Sequence, residues 1–163
     1  MKFGLIDRVI ELEPARRIVA VKAVSLSEEY LSEHFPTFPV LPGVFMLEAM
    51  VEAAGWLVRV AGDFDRSVIL LASTRGVTYK RFVEPGHLLR VEVDCRRLAP
   101  EASEFAGACY CGDTEAVKGR FTLRHMNLAD RSSALAATDR RIVDEARKRW
   151  ALLYRIADDN QPS

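Results

Sequence analysis

The stretch HFPTFPVLPGVFMLEAMVEAAGWLVRVA, residues 34–61, decides the fold. Its first part, residues 34–43, holds three prolines between positions 36 and 42, so we expect a stiff, shaped loop there. Its second part, residues 43–61, has apolar residues all around a helical wheel and only three ionisable ones: Glu48, Glu52 and Arg59. A helix that is apolar on every side is buried. We therefore expect a central helix of about 28 Å that the rest of the chain wraps.

Six stretches on either side of this segment have the β-branched content and the flanking turn residues of strands. They are residues 5–12, 17–25, 67–79, 87–98, 103–112 and 115–126. Turn signals separate them, as at Glu13-Pro14-Ala15 and Glu84-Pro85-Gly86. This order predicts an α+β fold, in which a six-stranded, mostly antiparallel sheet packs against one long helix.

The C-terminal part of the chain has a different pattern. From about residue 138 to 157, apolar residues recur at helical spacing, at Ile142, Ala146, Trp150, Leu153 and Ala157, with Val143 and Ile156 beside them. We expect an extra surface helix whose apolar stripe docks on this chain or on a neighbouring subunit. Residues 1–127 are thus predicted to form the main domain, and residues 128–163 a connector with a helical extension.

Composition narrows the possible functions. The 163 residues fit one domain, and 23 basic residues balance 23 acidic ones. A nucleic-acid binder needs a basic surface, so this balance argues against one. The two carboxylates inside residues 43–61 argue against a membrane span. Three cysteines and no secretory signal predict a cytoplasmic protein with packed, reduced thiols, and Cys109, Cys111 and His125 alone do not make a metal site.

His34 and Glu48 are the candidate catalytic pair. A buried carboxyl has a raised pKa, which suits a proton donor, and the like charge of Glu52 one turn later favours the same shift. Gly43 opens the helix, where free N–H groups can stabilise an oxyanion and no Cβ hinders an acyl group. Abstraction of an α-proton with loss of a β-hydroxyl needs such a base, acid and polarised carbonyl. A merely packed histidine and a solvent-facing glutamate are the alternative interpretation.

These residues also carry a family resemblance. The pattern His34-Phe35-Pro36-x-x-Pro39-Val40-x-Pro42-Gly43-Val44-x-x-x-Glu48-Ala49-Met50 resembles the signature of the β-hydroxyacyl-[acyl-carrier-protein] dehydratases of the FabZ type. Flanking segments are similar as well, and the resemblance covers roughly residues 5–126. It implies a hotdog fold, in which a curved sheet wraps the long helix. It also implies a homodimer whose active sites combine His and Glu from different protomers, and a possible trimer of dimers.

The resemblance further implies the roles of individual residues. His34 is the base, Glu48 the acid that protonates the leaving hydroxyl, and Gly43 the amide that holds the thioester carbonyl. Phe35, Pro42 and Val44 are expected to bind substrate beside them. No metal or organic cofactor is implied beyond the phosphopantetheine arm of the substrate, which is carried on acyl carrier protein or coenzyme A. The implied reaction gives trans-2-enoyl thioesters in fatty acid biosynthesis or a related acyl pathway.

Three positions depart from the family pattern, and two other functions stay open. Thr37 stands where the family usually has Gly, Glu52 stands where it usually has Gln, and Leu70 lies near the place of an aromatic gate. The first alternative is a hotdog thioesterase, in which a helix carboxylate activates water. The second is a non-catalytic acyl-binding subunit that has kept the fold.

Overall fold

The long helix begins at Gly43 and ends at Ala61, as the sequence predicts. The computed structural model describes residues 4–155. Its strands are β1 (Arg8–Glu13), β2 (Arg17–Ala23), β3 (Val68–Tyr79), β4 (Leu88–Arg97), β5 (Ala102–Cys111) and β6 (Thr114–Met126). Its helices are α1 (Glu29–Glu33), α2 (Gly43–Ala61) and α3 (Ala136–Leu153), with two 3-10 turns, Leu128–Asp130 and Ser133–Leu135, before α3.

The six strands form one sheet in the order β1-β2-β4-β5-β6-β3. Every neighbouring pair is antiparallel, which confirms the predicted α+β architecture. The inner residues of each central strand alternate with outer polar ones, as Leu89, Val91 and Val93 do in β4. These inner residues pack on α2, so the sheet curves around the helix.

Close packing between the sheet and α2 depends on one small residue. A Cβ at Gly107 of β5 would lie 2.8 Å from the Sδ of Met50 on α2, well inside contact distance. Cys109, two residues along the same strand face, is fully buried and contacts the carbonyl oxygen of Met46 with its thiol. Burial raises the pKa of this thiol, which agrees with the predicted packing role.

One expectation about α2 is wrong. The sequence predicts a helix covered on every side, but Val44 is 61% exposed and Glu48 is exposed as well. The reason is geometric, because the sheet of one chain wraps only one side of the helix. The edge strand β3 is also open, with residues 70–76 exposed.

The C-terminal helix docks on its own chain, as one of the two predicted arrangements has it. The ring centroids of Trp150 and Trp56 lie 5.8 Å apart, and Leu153 is buried. At the start of α3, the buried Asp139 accepts hydrogen bonds from the Ser67 hydroxyl and from two backbone N–H groups. The helix runs from 136 to 153 rather than to 157, and the predicted stripe positions 156 and 157 lie outside the described residues. The division at residues 127 and 128 stays a prediction.

Candidate functional site

The proline-rich loop is held rigidly between α1 and α2. His34 directly follows α1, and its carbonyl oxygen accepts the N–H of Val40 at 3.0 Å. The N–H of Leu41 donates to the carbonyl oxygen of Val83 at 2.8 Å, which ties the loop to the segment after β3. Prolines have no N–H to donate, so the loop cannot form regular secondary structure, and these backbone hydrogen bonds hold it instead. They confirm the predicted shaped loop.

The loop also determines which nitrogen of His34 carries the proton. Nδ1 lies 3.1 Å from the carbonyl oxygen of Val40. A carbonyl can only accept, so Nδ1 is the donor and Nε2 of the neutral ring keeps its lone pair. The imidazole also lies against the Phe35 ring, with a centroid distance of 4.3 Å. Nε2 of His34 is therefore the ring nitrogen that can accept a hydrogen bond or a proton.

A cleft of about 430 Å³ opens beside this ring. Three of the predicted site residues line it: His34, Phe35 and Gly43. Sequence reasoning missed the other residues that line it, namely Leu41, Met46, Tyr79, Lys80, Arg81 and Phe82. Two aromatic residues at and just after the end of β3, Tyr79 and Phe82, are the sequence signal that could have found the far wall of the cleft.

Gly43 matters here for a reason that the sequence does not show. A Cβ at this position would lie 2.9 Å from two ring carbons of Tyr79. The sequence suggests that the missing Cβ leaves room for an acyl group, whereas in this chain the Tyr79 ring occupies that space. Glycine at position 43 thus allows a strand aromatic to pack against the first turn of α2.

The remaining predicted residues lie outside this cleft. Pro42 is buried beneath the start of α2, and Val44 and Glu48 lie on the exposed side of the helix. His34 and Glu48 of one chain do not line the same cleft. Partial burial nevertheless raises the pKa of the Glu48 carboxyl.

Glu52, one turn further along α2, faces the N-terminal segment. Its Oε2 accepts the backbone N–H of Leu5 at 2.7 Å. Burial raises the pKa of the Glu52 carboxyl, and the hydrogen bond from Leu5 opposes that shift. Glu52 therefore anchors the N-terminal segment on the helix that also carries Glu48.

A buried lysine holds the base of α1, the helix that leads to His34. The Nζ of Lys22 on β2 lies 2.6 Å from a carboxylate oxygen of Glu28 and 3.2 Å from one of Asp7. Asp7 also accepts the N–H of Ala23 at 2.8 Å. Sequence reasoning missed this cluster, because the pairing of β1 with β2 brings Asp7 to Lys22 and the turn into α1 brings Glu28.

A metal centre finds no support in the described part of the chain. Within residues 4–155, no group of three or more His, Cys, Asp or Glu side chains could hold a metal ion. His125, considered above, is buried between the Ser103 hydroxyl and the carbonyl oxygen of Pro100, each 3.0 Å from a ring nitrogen. In the same range, no helix is long and apolar enough to cross a membrane.

Sequence comparisons with known proteins all indicate the same family. A family model described as a FabA-like domain matches residues 1–119. The 3-hydroxyacyl-[acyl-carrier-protein] dehydratase FabZ of Variovorax paradoxus is 42% identical over 113 residues, which cover 68% of this chain and 75% of the relative. The protein of the same name from Symbiobacterium thermophilum is 41% identical over 122 residues, covering 75% of this chain and 84% of the relative.

Solved structures share the fold at lower identity. A chain of the dehydratase heterocomplex ApeI:P from Xenorhabdus doucetiae superposes with a TM-score of 0.67 at 22% identity, covering 82% of this chain and 90% of that one. A hypothetical thioesterase with coenzyme A from Streptococcus pneumoniae superposes with a TM-score of 0.57 at 12% identity. The match covers 74% of this chain and 88% of that one. The architecture is therefore the hotdog fold.

Proposed function

Because the chain belongs to the FabA-like family, as a FabZ-type hotdog dehydratase, we propose that it dehydrates 3-hydroxyacyl thioesters to trans-2-enoyl thioesters. The reaction would serve fatty acid biosynthesis or a related acyl pathway in the cytoplasm. The observation that carries the proposal is the orientation of His34, whose Nδ1 faces the Val40 carbonyl while its ring lines the cleft. That arrangement suits a general base at the mouth of an acyl site.

The chemistry needs one proton removed and one proton given. Nε2 of His34 takes the proton from C2 of the acyl chain. The bond between C3 and its hydroxyl oxygen breaks, the double bond forms between C2 and C3, and Glu48 gives its proton to the departing hydroxyl, which leaves as water. A carboxyl with a raised pKa is suited to this second step.

Glu48 would come from a second copy of the chain. Three observations support a shared site: Glu48 does not line the cleft of its own chain, its side of α2 is uncovered, and β3 is an open sheet edge. An exposed strand edge of this length is a template for pairing with another chain. We propose a homodimer with shared active sites. A trimer of dimers stays a prediction.

The thioester carbonyl would bind at the start of α2. The first N–H groups of a helix have no intrahelical acceptor and lie at the positive end of its dipole. In this chain those groups belong to Gly43 and Val44, and Gly43 lines the cleft together with His34. Phe35, which lines the cleft, would position the substrate there, and the buried Pro42 would fix the start of α2. The proposed reaction uses no metal and no organic cofactor other than the phosphopantetheine arm of the substrate.

The cleft offers one cation for the phosphate of that arm. Lys80 is paired with Glu115 at 2.5 Å. Arg81, which also lines the cleft, has no carboxylate within 4.0 Å among residues 4–155. A phosphate is present both on acyl carrier protein and in coenzyme A, so Arg81 would serve either carrier.

The test is a turnover assay of the purified protein on short- and long-chain 3-hydroxyacyl thioesters of both carriers, followed by enoyl absorbance. Release of free thiol without enoyl product would indicate a thioesterase instead. Tight binding of the thioester without turnover would indicate a non-catalytic acyl-binding subunit.

A further inference from the structure

The outer face of the sheet, opposite α2, carries a shallow depression that the proposed reaction does not use. Its volume is about 430 Å³. Ala106 and Ala108 of β5 form its floor, and longer side chains of β4 and β6, among them Asp94 and Arg120, stand on either side. We call this depression the outer trough.

The carboxylates of the outer trough already have cationic partners. Asp94 pairs with Arg17 at 3.0 Å, and Glu92 pairs with Arg17 at 2.7 Å and with Arg90 at 2.8 Å. Glu115 pairs with Lys80 at 2.5 Å. The negative charge of the trough is therefore neutralised, largely by cations that lie outside it.

Three arginines of the trough have no such partner. Arg75 on β3, Arg96 on β4 and Arg120 on β6 are exposed, and none has a carboxylate within 4.0 Å in the described part of the chain. The same three also line an adjoining hollow of about 270 Å³, to which Ser73 and Thr122 add hydroxyl groups and Glu104 adds a carboxylate that lies 3.9 Å from Arg97. Arg75, Arg96 and Arg120 thus form one cluster that borders both depressions.

Strand pairing makes this cluster electrostatically unfavourable when it is empty. Arg75 and Arg120 are direct partners in the antiparallel register of β3 and β6. Like charges directly opposite each other across two strands destabilise the pair. An anion between the two guanidinium groups would turn that repulsion into attraction.

We propose that the outer trough binds a phosphate-bearing small molecule through Arg75, Arg96 and Arg120. The guanidinium fork matches the oxygens of phosphate in a bidentate way, and neighbouring hydroxyls can donate to the same oxygens. In a dimer formed along β3, edge pairing would extend the sheet in its own plane, so the outer face that carries Arg96 and Arg120 would stay open, with Arg75 beside the seam. The proposal does not depend on the dehydratase activity.

Calorimetric titration with inorganic pyrophosphate, at constant ionic strength set with sodium chloride, tests the proposal. The wild-type protein should bind it saturably, and the R75Q/R120Q double variant should bind at least about tenfold more weakly. R140Q, which removes an exposed arginine on α3, should bind as the wild type does. Titration with ADP distinguishes a phosphate ester from a free phosphate as the ligand. Tighter binding of ADP than of pyrophosphate indicates a phosphate ester, and equal binding indicates that the phosphate groups alone are recognised.

The variants also allow a check through stability. Because a ligand of the folded state raises Tm, pyrophosphate should raise the Tm of the wild type and of R140Q but not of R75Q/R120Q. Without pyrophosphate, R75Q should have a higher Tm than the wild type, since the opposed charges are gone. Absence of saturable binding to the wild type, or equal loss of binding in R140Q, overturns the proposal.

Discussion

The backbone N–H of Leu5 donates a 2.7 Å hydrogen bond to Oε2 of Glu52. This bond fastens the N-terminal segment to the middle of α2, one turn beyond the proposed acid Glu48. Leu5 itself is almost completely buried, so the carboxyl of Glu52 is covered where the segment crosses the helix. A titratable group is thereby held on the interior side of α2, the helix that carries the proposed acid.

The first prediction concerns this carboxyl. Burial raises its pKa on folding, so its protonation stabilises the folded state below the unfolded pKa, and that contribution is lost as pH rises through the raised value. Gln at position 52 stays neutral and still offers an oxygen to Leu5. We expect E52Q to raise Tm at pH 8 by about 2–4 °C, the shift that ~1 kcal/mol produces in a chain of this size.

The gain of E52Q should shrink toward pH 4, where Glu52 is protonated. Thermal unfolding at several pH values measures the difference. E33Q, at an exposed position of α1, is the charge-matched control. A gain of E52Q that is equal at every pH would contradict the burial argument.

The second prediction concerns the proposed base and acid. H34A removes Nε2, and E48Q keeps the shape of the side chain but cannot give up a proton. A general acid or base contributes roughly 10²–10⁴-fold, so each variant should lose at least about a hundredfold in kcat. Enoyl absorbance measures the loss, with E33Q again as the control. Near-normal turnover by either variant would remove the assigned role.

The third prediction concerns the shared site. If His34 acts with Glu48 of the partner, a mixed dimer of H34A and E48Q contains one site with both functional groups. Mixing the two inactive proteins under exchange conditions should therefore restore activity, up to about one quarter of the wild-type rate for random pairing with one competent site in each mixed dimer. A protein that is monomeric at the assay concentration would argue against the shared site.

The fourth prediction concerns pH and activity. The reaction needs Nε2 of His34 free and the carboxyl of Glu48 protonated. Turnover should fall as pH rises through the raised pKa of Glu48, because the ionised carboxylate has no proton to give. A profile of kcat that keeps rising through the alkaline range would show that Glu48 is not the acid.

The fifth prediction concerns the C-terminal helix. Arg147 of α3 donates to the carbonyl oxygen of Asp63 at 2.6 Å, and Trp150 covers Trp56 on α2. A chain that ends at residue 127 would expose this apolar docking surface. We expect lower solubility or a changed oligomer size in light scattering, while the dehydratase activity of the soluble fraction is retained. Identical behaviour of the shortened protein would show that the docking contributes nothing.

Local patterns in the sequence were sufficient to predict the long helix, the six strands and the candidate site residues. The apolar run from Gly43 to Ala61, the prolines before it and the six alternating stretches depend on backbone geometry and side-chain periodicity, which act over a few residues. The family resemblance covers roughly residues 5–126, and its signature lies in residues 34–50. These features do not require knowledge of which strand lies beside which.

Only the tertiary structure decided how those elements meet. One sheet covers one side of α2, so Val44 and Glu48 are exposed although the helix is apolar on every side. Tyr79 reaches Gly43 across 36 positions of chain, and Arg75 faces Arg120 through strand register. Such contacts join residues that are far apart in sequence and depend on how the whole chain packs, and no local pattern encodes them.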